Sequence, residues 1–123
     1  EVRKTPWVDT LVLQEVLFES GKADLQHDSY SLLDSFCSRA RGGKIDSVIV
    51  EGHTDSRGTE EMNNRLSWAR VQTVLNYFAS RTFVKPSRIF ARAWGEAKPV
   101  ADNHTSSGRQ RNRRVVVFVY ISG

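Results

Sequence analysis

Apolar and polar positions alternate along this chain in two rhythms, and the rhythm changes mark its elements. Leu11 to Phe18, rich in Leu and Val, reads as a first strand stopped by the turn residues Ser20 and Gly21. Tyr30, Leu33 and Cys37, with Leu32 and Phe36 beside them, give the i, i+3, i+4 spacing of a helix that ends near Arg41, where Gly42 and Gly43 supply a C-cap. Ile45 to Glu51 alternates weakly and stops at Gly52, which predicts a strand covered on at least one face. A long helix follows from about Glu60 to Arg81. Lys85, Pro86 and Ser87 make a turn, Ile89 to Trp94 a short third strand closed by Gly95, and Ala97 to Ser107 a loop. Ser106 or Ser107 can cap a short helical turn toward Asn112. Val115 to Ile121 runs apolar without alternation, which predicts a central strand buried on both faces.

This order, β-α-β-α-β-(short α)-β, predicts an α/β sandwich with a four-stranded sheet and helices packed on one face. The connection from the third strand to the last is too short for a comfortable helical crossover, so the last strand is expected to run antiparallel to some of its neighbours and the sheet to be mixed.

The long helix carries an anomaly. Its inward side reads as Met62, Leu66, Ala69, Val74, Tyr77 and Phe78, yet Asn63, Ser67 and Arg70 fall among them. Burying an arginine without a partner costs about 3 to 5 kcal/mol, so Arg70 calls for an anion, from the chain itself or from a ligand. Asp55, in the short polar loop from Gly52 to Gly58 ahead of this helix, is the nearest candidate. It reads either as a loop carboxylate that favours the positive helix end, contributing about 0.5 to 1 kcal/mol, or as a partner of Arg70. Asn63 to Arg70 spans about 10 Å of helix, so Asp55 and Arg70 either pair directly, the commoner case, or face one pocket from two sides. The second arrangement suits a zwitterion, its ammonium at Asp55 and its carboxylate on the planar fork of Arg70.

Composition narrows the function classes. The 123 residues are 39% hydrophobic, enough for one globular domain over 1–123 with a core from about 11 to 121. No apolar run approaches the ~20 residues that span a bilayer, and Glu1 to Thr5 lack the apolar stretch of a secretory signal. The net charge is +4, with Arg109, Arg111, Arg113 and Arg114 crowded near the C-terminus, a density that attracts phosphates, anionic lipid or an acidic polymer. No aromatic platform is interleaved with them, which argues against nucleic acid. The single cysteine, Cys37, excludes an internal disulfide and a cysteine cluster for structural zinc, and its apolar neighbours predict a small buried hydrophobe. His27, His53 and His104 are scattered with no nucleophile and base at readable spacing, so neither catalysis, a metal nor a cofactor is expected.

The run Gly52-His53-Thr54-Asp55-Ser56-Arg57-Gly58, then Asn63, Leu66-Ser67, Arg70 and Val74, then Ile89, Gly95-Glu96, Pro99, Asn103 and Asn112-Arg113-Arg114-Val115, resembles the OmpA-like C-terminal domain of bacterial envelope proteins. The match spans roughly Leu13 to Ile121. The resemblance implies the same order of elements and non-covalent binding of peptidoglycan through the diaminopimelate of its stem peptide, anchoring a periplasmic domain of a membrane-anchored envelope protein to the cell wall. By position it puts the ligand aspartate on Asp55 and the ligand arginine on Arg70, with Thr54, Asn63 and Arg113 or Arg114 beside the ligand. Glu19 stands where relatives often carry aspartate or asparagine, at one side of the pocket. The segment Arg81-Thr82-Phe83-Val84 lacks the glycine that normally ends the long helix, and Trp68 stands where relatives tend to be charged. Two other readings follow from the residues: a partner-docking domain using Trp68, with Asp55 and Arg70 closed on each other, and an anionic-polymer binder through Arg109 to Arg114.

Overall fold

The computed structural model describes residues 7–122, without the side chain of residue 16, so Glu1 to Thr5 lie outside the described residues. The strands are β1 (Trp7–Gln14), β2 (Lys44–His53), β3 (Ile89–Gly95) and β4 (Arg114–Ser122), and the helices α1 (Ser29–Arg41), α2 (Glu60–Thr82) and α3 (Ser106–Asn112). They form one sheet in the order β1-β4-β2-β3. β4 runs antiparallel to both β1 and β2, while β2 and β3, joined through α2, are parallel. The mixed sheet expected from the short connection and the central last strand expected from the apolar run Val115 to Ile121 are present.

The core follows from strand alternation. Leu11 and Leu13 of β1, Val48 and Val50 of β2, and Val115, Val117, Val119 and Ile121 of β4 share one face, and α1 and α2 cover it with Leu33, Phe36, Cys37, Ala40, Val71, Val74 and Phe78. Each large side chain buried here contributes about 1.5 to 3 kcal/mol. Phe36 and Phe78, with ring centroids 6.0 Å apart, join the two helices.

Several boundaries and faces differ from expectation. The first strand starts at Trp7 and stops at Gln14, and Glu15–Leu17 form a 3-10 turn. Met62, read as inward, is 62% exposed, whereas Val71 is fully buried. The buried stripe of α2 therefore runs Asn63, Ser67, Arg70, Val71, Val74, Phe78 and Thr82. Tyr30 and Leu32 are exposed; Tyr30 packs at a tilt against Tyr77 at the rim rather than entering the core. β4 is buried on both faces only in its first half, and Tyr120 reaches solvent. α3 is capped by Thr105, whose hydroxyl accepts from the Gly108 N–H at 3.0 Å, and not by Ser106 or Ser107. Gly42 caps α1 in the right-handed region (φ −69°), so no left-handed glycine is used there. α2 does end on a left-handed residue, but it is Phe83 (φ 60°, ψ 24°), whose N–H donates to Ala79 O. That conformation costs about 1 to 2 kcal/mol for a residue with a Cβ.

Candidate functional site

The loop between β2 and α2 is held by its own polar groups. Thr59 caps α2 by accepting from the Met62 N–H at 3.1 Å, with Glu60 and Glu61 complementing the positive helix end. Asn63, the first member of the polar stripe, donates to Asp55 O at 3.3 Å and to Arg57 O at 2.9 Å, and so folds the loop back over the helix start. Asp55 Oδ1 accepts from the Arg57 N–H at 2.9 Å, and the Thr54 N–H donates to Gly95 O at 2.8 Å. Ser67, the second member, sits where α2 presses on the sheet: a Cβ on Gly52 would lie 2.6 Å from Ser67 O. A larger inward residue would push the helix off β2.

Arg70, the third member, is 2% exposed. Its Nε donates to Lys22 O at 2.9 Å, its Nη1 lies 3.3 Å from Glu15 Oε2, and its guanidinium stacks 4.9 Å over the Phe18 ring. Nη2 is buried and makes no hydrogen bond among the described residues. Burial pushes the Arg70 pKa down, and the Glu15 carboxylate opposes that shift.

Arg113 joins the two halves of the site. Asn112, fully buried, accepts from the N–H groups of Val100 and Ala101 and donates to Ala101 O and Asn103 Oδ1, pinning the preceding loop to α3. This fixes Arg113 at the helix end, where its carbonyl accepts from the Glu15 N–H at 2.9 Å. Its Nε lies 2.6 Å from Glu15 Oε1, and its Nη1 donates to Asp55 Oδ2. Burial works against this charge, but the hydrogen bonds and fields of Asp55 and Glu15 outweigh it and raise its pKa.

The result is a row of alternating charges: Arg70, Glu15, Arg113, Asp55 and Arg57, the last with Nε 3.7 Å from Asp55 Oδ2. All five line one open cleft of about 540 Å³ together with Thr54 and Asn63. Three guanidiniums face two carboxylates, so the cleft carries one excess positive charge.

Of the seven residues singled out from the sequence, Asp55, Arg70, Thr54, Asn63 and Arg113 line this cleft. Arg114 and Glu19 do not. Arg114 donates to Asn112 O and Lys98 O, with Glu51 acting on its charge, and Glu19 is an exposed residue whose N–H donates to Asp24 O. The direct Asp55–Arg70 pair weighed from spacing is not among the ion pairs formed: Arg113 serves the aspartate and Glu15 the arginine. The sequence pattern places Glu15 inside the first strand, which hides its part in the site. Its signal is the polar pair Gln14-Glu15 interrupting an apolar run. The basic cluster is also divided, since Arg109, Arg113 and Arg114 are all tied to carbonyls or carboxylates of the fold.

His53 precedes Thr54 directly but belongs to a different surrounding. Its Nε2 lies 3.4 Å from Glu51 Oε1, and burial and Arg114 push its pKa down, with Glu51 partly opposing. No helix among the described residues is long and apolar enough to cross a membrane.

Residues 17–113 match the model of the OmpA family. Outer membrane protein A of Bordetella avium is 37% identical over 105 residues, which cover 85% of this chain and 54% of that protein, so the chain spans about half the length of that relative. Among solved structures, the cell wall anchor of the T6SS from Pseudomonas aeruginosa superposes with a TM-score of 0.83 at 31% identity, covering 94% of this chain and 82% of that one. The peptidoglycan-associated lipoprotein from Burkholderia pseudomallei gives a TM-score of 0.69 at 27% identity, covering 89% and 88%. A family model that covers most of the chain, and a fold shared with these envelope proteins, make the assignment: the chain belongs to the OmpA family.

Proposed function

We propose that this chain binds peptidoglycan non-covalently through the diaminopimelate of the stem peptide, as a periplasmic domain that anchors an envelope protein to the cell wall. The carrying observation is Arg70: a guanidinium 2% exposed, with Nη2 lacking a partner, on the wall of an open cleft that also holds Asp55. A free amino-acid centre offers a carboxylate to Arg70 and an ammonium to Asp55, and its opposite charges match the alternation of the row. Glu15, at 27% side-chain exposure the most accessible of the charges that contact Arg70 or Arg113, stands in for the ligand carboxylate and yields Arg70 to it. The names of two relatives, a cell wall anchor and a peptidoglycan-associated lipoprotein, support the same reading. Recognition needs no bond cleavage, and the two carboxylates are both engaged by guanidiniums rather than flanking a scissile bond.

The test is co-sedimentation with purified sacculi. Wild-type chain pellets with them, free diaminopimelate competes, and Asp55→Ala and Arg70→Ala each abolish pelleting while circular dichroism retains the folded spectrum. Pelleting that survives both substitutions and ignores diaminopimelate overturns the reading.

A further inference from the structure

The end of the molecule opposite this cleft is also built for anions. β2 runs from Lys44 beside one end to His53, next to Thr54, at the other, about 30 Å away. Around the start of β2 and the end of α2 lies a second open cleft of about 500 Å³, lined by Arg41, Lys44, Lys85 and Arg88, and no carboxylate belongs to its wall. Arg41 Nη1 donates to Arg81 O at 2.8 Å, and Arg88 is shared with Asp46 at 3.8 Å. Lys44 and Lys85 make no ion pair among the described residues. The helix C-termini account for part of this basicity, but not for the aromatic side chain on its rim. Phe83 is 82% exposed, and it sits in the left-handed conformation that closes α2, where glycine would be unstrained. A strained, solvent-facing aromatic set in a ring of cations is suited to a surface of phosphates with hydrocarbon beneath it.

We infer that this basic cleft with Phe83 at its rim docks onto an anionic phospholipid surface, the cations taking phosphate groups and Phe83 entering the layer below them. The cations alone would suit an acidic polypeptide equally well. The exposed Phe83 favours lipid, because in a bilayer hydrocarbon lies directly beneath the phosphates that the cations would take. This inference is independent of wall binding at the other end.

Vesicle co-sedimentation tests it. The chain partitions onto phosphatidylcholine vesicles that contain phosphatidylglycerol and not onto phosphatidylcholine alone. Each lysine near such a surface strengthens partition about fivefold, so Lys44→Gln with Lys85→Gln lowers it about thirtyfold. Removing two exposed charges elsewhere, Arg65→Gln with Arg111→Gln, lowers it less than threefold. Phe83→Gly lowers partition severalfold and at the same time raises the thermal midpoint, a split that a purely structural role for Phe83 cannot produce. Equal loss from both charge pairs, partition unmoved by Phe83→Gly, or binding to polyglutamate or pyrophosphate without binding to vesicles overturns the assignment.

Discussion

Glu15 holds Arg70 at 3.3 Å across 55 positions of sequence, and the arginine it holds is almost wholly buried. The pair fixes the turn after β1 to the middle of α2. Replacing Glu15 with Gln leaves a buried guanidinium facing Arg113 with no anion between them. The expected loss is about 3 kcal/mol, read from urea unfolding. The double variant Glu15→Gln with Arg70→Met restores most of it, since the uncompensated charge is gone. If the single substitution is neutral, Lys22 O and Phe18 alone suffice for Arg70.

A second expectation concerns acid. His53 is held below its ordinary pKa of 6.5 by burial and by Arg114. The unfolded chain therefore takes up a proton before the folded one does, and its stabilising share is complete above pH 6.5 and is lost as pH falls through the depressed folded value. The thermal midpoint should drop on acidification from neutrality, and His53→Gln should flatten that slope. Identical slopes in the two proteins would assign the acid sensitivity to other groups.

Cys37 should be silent in the native protein. Burial first, then Asp34, push its thiol up to about 11, with Arg41 and Arg81 pulling the other way. At neutral pH almost no thiolate is present. A thiol-disulfide reagent added to folded protein should react only at the rate of unfolding, and immediately in denaturant.

At Gly52, β2 comes close against α2. A Cβ there would meet Ser67 O at 2.6 Å and Val71 Cγ2 at 2.7 Å. Gly52→Ala should cost about 1 to 3 kcal/mol. Adding Ser67→Ala should not rescue it, because the nearer obstacle is backbone.

What the sequence disclosed and what it withheld divide along one line. Periodicity reports which residues share a face, so the element order and the apolar stripe through Val74 and Phe78 could be read directly. It does not report where a helix is rotated, and the rotation turned Met62 outward and Val71 inward. The polar stripe was legible as an anomaly, and each member has a job: Asn63 folds the loop, Ser67 permits the close approach, Arg70 sits in the charged row. The partner of Arg70 was not legible, because Glu15 lies 55 positions away, and Arg113, which Glu15 also holds, is 98 positions from it and is brought there by the pairing of β1 with β4. Spacing within one helix and its preceding loop pointed to Asp55. The fold placed Arg113 against that carboxylate instead.

β4 lies between β1 and β2, although it is the last of the four to emerge during synthesis. Until it arrives, β1 has no neighbour in the sheet and the core valines of β2 lack their flanking strand. The residue that opens this strand's approach, Arg113, is also the one that links Glu15 to Asp55. A nascent or prematurely stopped chain that lacks β4 therefore has neither the four-stranded sheet nor the Glu15–Arg113–Asp55 link, and the charged row forms only as the last strand is laid down.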